Sequence, residues 1–205
     1  MRVLPLHRDD PHDYSCVSYW VLGENNTATD RNTLIDTGST DPGNLWYFLK
    51  EMARQPKGIG KQAVEQVILT HCHFDHIGGL PAIDQQFGPE TYAWIPAGQR
   101  PMPTHDHQAV MVGDQAGLIL YTPGHSDDSI CLFLPETGIL FSGDTLYRIN
   151  DHLGAYPKAY VSTLERLAGL QVQAIYPGHG SPILQNATEF IRTCLDNVHQ
   201  SLIQE

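Results

Sequence analysis

Four residues of metal-binding type crowd into one short run, HCHFDHIGG over 71–79: His71, His73, Asp75 and His76. Three more stand singly further along: His125 in TPGHS (122–126), Asp144 in FSGDT (141–145) and His179 in PGHG (177–180). Imidazole and carboxylate are borderline-to-hard ligands, suited to Zn²⁺, Fe or Mn. Seven of them are enough to hold two ions close together with a water between. A water on such an ion has its pKa lowered to roughly 7, which makes hydroxide available at neutral pH. The chain carries no GxSxG elbow, and this chemistry needs no Ser or Cys nucleophile.

The elements that position these groups follow from periodicity. VEQVILT (64–70) reads as a buried strand that delivers the chain to His71. Further strands are expected at 2–5, 15–22, 33–36, 91–95, 117–121, 129–134, 138–142 and 172–176. Asp41-Pro42 opens a helix as a cap followed by proline at the first helical position. Leu45, Phe48, Leu49 and Met52 then recur at helical spacing, and Pro56 and Gly58 end the helix. A short helix is expected over 79–87, and another over 158–168 with Val161, Leu164 and Leu167 inward. The last helix starts at Asn186, with Glu189 three residues on. Its stripe is Phe190, Ile191, Cys194, Leu195, Val198 and Leu202. Two groups of strands, each followed by helices, give an α/β fold with mixed sheets. No repeat, low-complexity stretch or linker divides the chain, so 1–205 reads as one domain. Locally, histidines two apart in an extended segment face the same way. Asp75 and His76, adjacent at a turn, diverge. Gly124, Gly143 and Gly178 each precede a ligand and permit tight backbone there.

Composition narrows the function classes. With 41% hydrophobic and 17% charged residues, the chain reads as globular. The formal net charge of −11 argues against a nucleic-acid substrate, because such binding neutralises phosphates with Lys and Arg. The densest basic run, Lys50, Arg54, Lys57 and Lys61, reads as a solvated helix face. The N-terminal MRVLPLHRDDPHD lacks the apolar core of a signal peptide, and no window approaches a membrane span. Four scattered cysteines with no CxxC fit free thiols in the cytoplasm. Cys72 alternates with His71 and His73 and is expected to point away from them. His105 and His107 read as a polar surface loop.

The ligand set and its order resemble the metallo-β-lactamase superfamily, in its glyoxalase II-like branch, over roughly 36–179. HCHFDHIGG, GHSDDSICL, GILFSGDTLY and YVSTLERL are similar to acyl-CoA thioesterase-like members. Tyr147, three residues after Asp144, stands as in lactonase-like members. The resemblance implies a four-layer αβ/βα sandwich, two mixed β-sheets with helices outside. It implies two divalent ions, Zn²⁺ first, with Fe or Mn open. His71, His73 and His125 would bind one, Asp75, His76 and His179 the other, and Asp144 both. Asp36 in LIDTG would hydrogen-bond the metal-site loop. The implied reaction is attack of metal-bound hydroxide on the carbonyl of a small-molecule ester, thioester or lactone. Asp75 would orient the water or move a proton, and Tyr147 would hydrogen-bond the substrate carbonyl or oxyanion. Arg148, His152 and Tyr156 are candidate substrate contacts. Two alternatives share the motifs. One is a persulfide dioxygenase-like enzyme with a single iron on His71, His125 and Asp144. The other is a small endoribonuclease, suggested by TPGHSDD and YPGHGSPI and opposed by the acidic balance. No nucleic-acid or membrane partner is expected, and oligomeric state is not written in these motifs.

Overall fold

A computed structural model describes residues 1–146, 149 and 154–204. In chain order the elements are β1 (Arg2–Leu6), β2 (Ser18–Leu22), β3 (Thr33–Ile35), α1 (Pro42–Ala53), β4 (Gln66–Ile68), α2 (Phe74–Ile77), α3 (Leu80–Phe87), β5 (Glu90–Ala93), β6 (Pro101–Pro103), β7 (Gln108–Val112), β8 (Gln115–Tyr121), β9 (Ile130–Leu134), β10 (Ile139–Gly143), β11 (Ala155–Pro157), α4 (Lys158–Ala168), β12 (Ala174–Pro177), α5 (Ala187–His199) and β13 (Leu202–Gln204). One sheet runs β1 to β6 in sequence order, and the other runs β12-β10-β9-β8-β7. Both mix parallel and antiparallel pairs. Among the described residues, no helix is long and apolar enough to cross a membrane.

The alternation of side chains along each strand builds the layers. In β2, Tyr19 and Val21 face the other sheet, while Trp20 and Leu22 face α1 and α3. In β9, Ile130, Leu132 and Leu134 meet the first sheet, and Cys131 and Phe133 turn to α4 and α5. Strands covered on both faces are apolar on both faces, and all five residues of each of these two strands are buried. The helices contribute single stripes: Phe48 and Met52 from α1, Leu164 and Leu167 from α4, and Ile191, Cys194 and Val198 from α5. The order is therefore helix, sheet, sheet, helix, the four-layer arrangement expected.

Direction matters more for the site than layer order. Strands β3 and β4 are parallel. In the second sheet, β8 and β10 are each antiparallel to β9, and β12 is parallel to β10. Each group thus points one way, and the candidate residues Asp36, His71, His125, Asp144 and His179 lie in the segments just past the C-terminal ends of β3, β4, β8, β10 and β12.

Several expectations need correction. The strand over 15–22 starts only at Ser18, because Cys16 and Val17 donate their N–H groups to Asp75 and Gly178 in the ligand loops instead of to a neighbouring strand. The edge strands β6 and β7 and the parallel pair β11–β13 carry weak apolar periodicity and were not expected. Asn186 does precede α5, but at φ 55° its side chain makes no capping bond. Leu202 leaves the helix for β13 and is exposed. Asp41, by contrast, caps α1 by accepting from the Gly43 N–H at 2.6 Å.

A two-pronged ion pair ties α4 to the second sheet. Asp106 accepts from Arg166 at 2.7 and 2.8 Å and from the Tyr121 N–H at 2.8 Å. Burial acts to raise the Asp106 pKa, but Arg166 and the Tyr121 N–H outweigh it and hold the carboxyl below its usual value. A lowered folded-state value means stability that is present above the ordinary carboxylate range and lost as pH falls through the folded value. Arg166→Ala therefore melts below wild type at neutral pH, and the gap closes on acidification. Thermal melts from pH 7 to about pH 3 check this.

Candidate metal centre

The seven ligand-type side chains meet at one edge of the sandwich. His71 Nε2 and His125 Nε2 each lie 3.0 Å from His73 Nδ1. Tetrahedral zinc with Zn–N near 2.0–2.1 Å separates its nitrogens by roughly 3.3 Å, so these three converge as ligands do. A second trio adjoins it: His179 Nε2 is 3.0 Å and His76 Nε2 3.7 Å from Asp75 Oδ2. Asp144 lies between the trios. Its Oδ2 is 3.6 Å from His125 Nε2 and 3.5 Å from His179 Nε2, while its Oδ1 is 3.3 Å from His76 Nε2.

Two buried atoms test whether the site suits a cation. His76 Nε2 and Asp144 Oδ1 are sealed from solvent and make no well-formed hydrogen bond. Such atoms are costly unless something else satisfies them. Among the described residues, every ionic partner of Asp36, Asp75 and Asp144 is a histidine. Three buried carboxylates that pair with no Lys or Arg among the described residues, and that face imidazole nitrogens, form a donor set that fits divalent ions.

Asp36 organises this set from behind. It accepts from the Thr70 N–H, the Thr70 hydroxyl and His76 Nδ1, each at 2.8 Å. Thr70 Oγ1 also lies 3.1 Å from His71 Nδ1. Both rings thus have Nδ1 engaged on the Asp36 side, which directs Nε2 into the cluster. Burial works to lower the His76 pKa, but the Asp36 carboxylate outweighs it and leaves this ring unusually basic. Burial, with His76 beside it, lowers His71 to about 4. Burial likewise lowers His125. Both are neutral at pH 7, the form that binds metal.

A family model described as the metallo-beta-lactamase superfamily matches residues 13–179, a span that includes all seven ligand-type residues. This chain belongs to the metallo-beta-lactamase superfamily. Lactamase-like protein nscB of Neosartorya fischeri is 34% identical over 154 residues, covering 73% of this chain and 45% of the relative. A protein named Atrochrysone carboxyl ACP thioesterase, of Aspergillus fumigatus, is 29% identical over 184 residues, covering 83% of this chain and 42% of the relative. The chain thus spans less than half the length of these two curated relatives. The crystal structure of a metallo-beta-lactamase family protein from Thermus thermophilus matches with a TM-score of 0.74 at 22% identity, over 97% of this chain and 79% of that one. That likeness shows the superfamily fold.

Within this superfamily frame, glycine is required where backbone presses on the ligands. A Cβ on Gly178 would sit 2.5 Å from Asp144 Oδ1 and 2.6 Å from His76 Cε1. Gly143, at φ 47°, packs equally close to Thr70. Gly178→Ala is expected to weaken metal binding at least about tenfold while the fold persists. Chelator competition followed by elemental analysis reads the first effect, and circular dichroism the second.

Other contributors were not anticipated from sequence. Asp128 accepts from the Cys72 N–H at 2.9 Å and the Ser126 hydroxyl at 2.7 Å, clamping the loop of His71 and His73 to the loop of His125. Cys72 itself is not grouped with the ligand atoms, and burial together with Asp128 pushes its thiol up to about 12. Cys16 lies against His76 and Asp36, and burial raises its pKa. Tyr156, a candidate substrate contact, packs against the core around α4 and α5, with its ring 5.5 Å from that of Tyr160. Tyr147, Arg148 and His152 lie outside the described residues.

Proposed function

We propose that this chain is a metal-dependent hydrolase with a dinuclear centre, acting on a thioester, ester or lactone of a small acyl substrate, with thioesters foremost. The observation that carries this reading is Asp144, whose carboxylate stands between two complete trios of ligand atoms. The thioesterase name of one relative supports the choice of thioesters. His71, His73 and His125 would hold one ion, Asp75, His76 and His179 the other, and Asp144 both, with Zn²⁺ the first candidate. Such ions supply an acidified water and polarise an acyl carbonyl.

The chain's own residues do the remaining work. Asp36 and Thr70 fix His71 and His76 so that their Nε2 atoms stay aimed at the cleft. Burial acts to raise the Asp75 pKa, but the His179 hydrogen bond and the nearby His76 outweigh it and keep the carboxyl ionised. An ionised Asp75 accepts a hydrogen bond and so orients a water in the cleft, a role better matched to its lowered basicity than proton storage. Tyr147 retains its role as hydrogen-bond donor to the substrate carbonyl in this proposal.

The test is a panel of thioesters, esters and lactones offered to chelator-treated and metal-reloaded protein. Turnover that is lost with chelator and restored by Zn²⁺, Mn²⁺ or Fe²⁺ is the expected result. Fully loaded protein that hydrolyses none of them, yet consumes O₂ with a persulfide, would move the assignment to the oxygenase alternative.

A further inference from the structure

Two large aromatic side chains stand beside the cluster of ligand-type residues, and nothing in the hydrolytic scheme uses them. The Tyr14 ring is stacked on that of His179, with centroids 5.1 Å apart and planes inclined by 25°. The Phe74 ring lies 6.2 Å from Tyr14. Both are more than half exposed, at 55% for Tyr14 and 64% for Phe74. Phe74 opens α2 directly before Asp75, so the pair borders the cleft on the side of Asp75, His76 and His179.

Tyr14 is held there by its neighbours in sequence. Asp13 accepts from the Ser39 hydroxyl at 2.6 Å and from Asn44 Nδ2 at 2.9 Å. Ser15 Oγ accepts from the Ser39 N–H at 3.0 Å. The Cys16 N–H then donates to the Asp75 carbonyl, and the Val17 N–H to that of Gly178. Residues on both sides of Tyr14 are thus tied to α1 and to the ligand loops. Its exposure comes from a fixed segment that presents a ring to solvent.

We propose that Tyr14 and Phe74 form the acyl-recognition wall of this site and select substrates whose acyl group is planar and conjugated. The inference rests on the hydrolase reading above. Aromatic faces pair with other π-systems at centroid separations of 4.5–7 Å and gain energy beyond area burial. A flat acyl group laid against these rings covers apolar surface that is otherwise wet, with its carbonyl directed toward the adjoining ligand cluster. A short aliphatic acyl group buries less area and gains no stacking.

The experiment compares a benzoyl thioester with an acetyl thioester of the same thiol, using metal-loaded wild type, Phe74→Ala, Phe74→Leu and Tyr14→Ala. The ratio of kcat/KM for benzoyl over acetyl is expected to fall about tenfold in the alanine variants, mainly through KM, with metal content unchanged. Phe74→Leu keeps apolar area without a ring and is expected to lose most of the same preference. Calorimetric titration with the non-hydrolysable benzyl thioether gives a readout independent of turnover, and its affinity should fall in parallel. An unchanged ratio and unchanged thioether affinity would overturn the wall. So would equal losses on both thioesters accompanied by loss of metal, the signature of a purely structural role. Should wild type hydrolyse no thioester at all, the hydrolase reading fails, and the thioether titration still decides whether the wall exists.

Discussion

Replacing Asp144 with alanine is expected to lower acyl hydrolysis by roughly three orders of magnitude or more and to reduce the metal content to one ion per chain or fewer. Asp144 is the carboxylate that faces both trios among the described residues: it lies 3.6 Å from His125 Nε2 and 3.5 Å from His179 Nε2 through one oxygen, and 3.3 Å from His76 Nε2 through the other. Removing it separates the trios electrostatically and leaves histidines converging without an anion between them. A cleft that cannot hold both ions would lose the second charge that polarises the carbonyl or steadies the leaving group, and would hold the first ion less firmly, which accounts for the size of the effect. The fold should persist, because Asp144 contributes no apolar packing to any of the three cores. Elemental analysis, steady-state rates and circular dichroism on the same preparation read all three consequences. Full metal content with wild-type rate would contradict the bridging role.

Asp36→Ala is expected to weaken metal binding about 10–100-fold although Asp36 is not counted among the seven ligands. Its carboxylate receives three hydrogen bonds, and alanine leaves the buried Thr70 N–H without its acceptor and His76 Nδ1 with only the long 3.4 Å contact to Thr70 Oγ1. Each orphaned group costs about 1–3 kcal/mol, so the variant should also melt at lower temperature. Backbone adds to the loss. Asp36 sits at φ 57°, where Asp and Asn are tolerated and alanine is strained. Asp36→Asn separates the two contributions, since it keeps the backbone preference and removes the charge. The asparagine variant should recover part of the stability but little of the metal affinity, because the raised basicity of His76 depends on the carboxylate. Chelator competition and thermal melts on both variants measure this. Two variants with wild-type metal affinity would remove Asp36 from the site.

The ligand residues were legible because chelation restricts both residue type and spacing. HCHFDH in one run, then GH, GD and GH after apolar stretches, announces itself without knowledge of contacts. The layers were legible for a related reason: β2 and β9 are covered on both faces, and their mostly apolar runs, unbroken from Tyr19 to Leu22 and from Ile130 to Leu134, say so. What was not legible depends on contacts between distant segments. The Tyr14–His179 stack and the Asp128 clamp on Cys72 leave no periodic trace. The left-handed conformation of Asp36 is likewise set by its partners in the fold. Asn186 and Glu189 have the right spacing for a capping box, yet the chain enters α5 with Asn186 in the left-handed region and the side chain unused. The helical stripe projected through Leu202 failed because the chain turns at Gln200–Ser201 and pairs Leu202 with Ala155, a partner that periodicity cannot reveal.

The most direct measurement of the central claim is the number of metal ions per chain, by elemental analysis of wild-type protein purified without added metal and then saturated with Zn²⁺ and desalted. Two ions per chain, both lost stepwise to chelator with loss of thioester hydrolysis, is the result expected from two trios joined by Asp144. A single ion at saturation, iron in the protein as purified and no acyl turnover would contradict the dinuclear hydrolase.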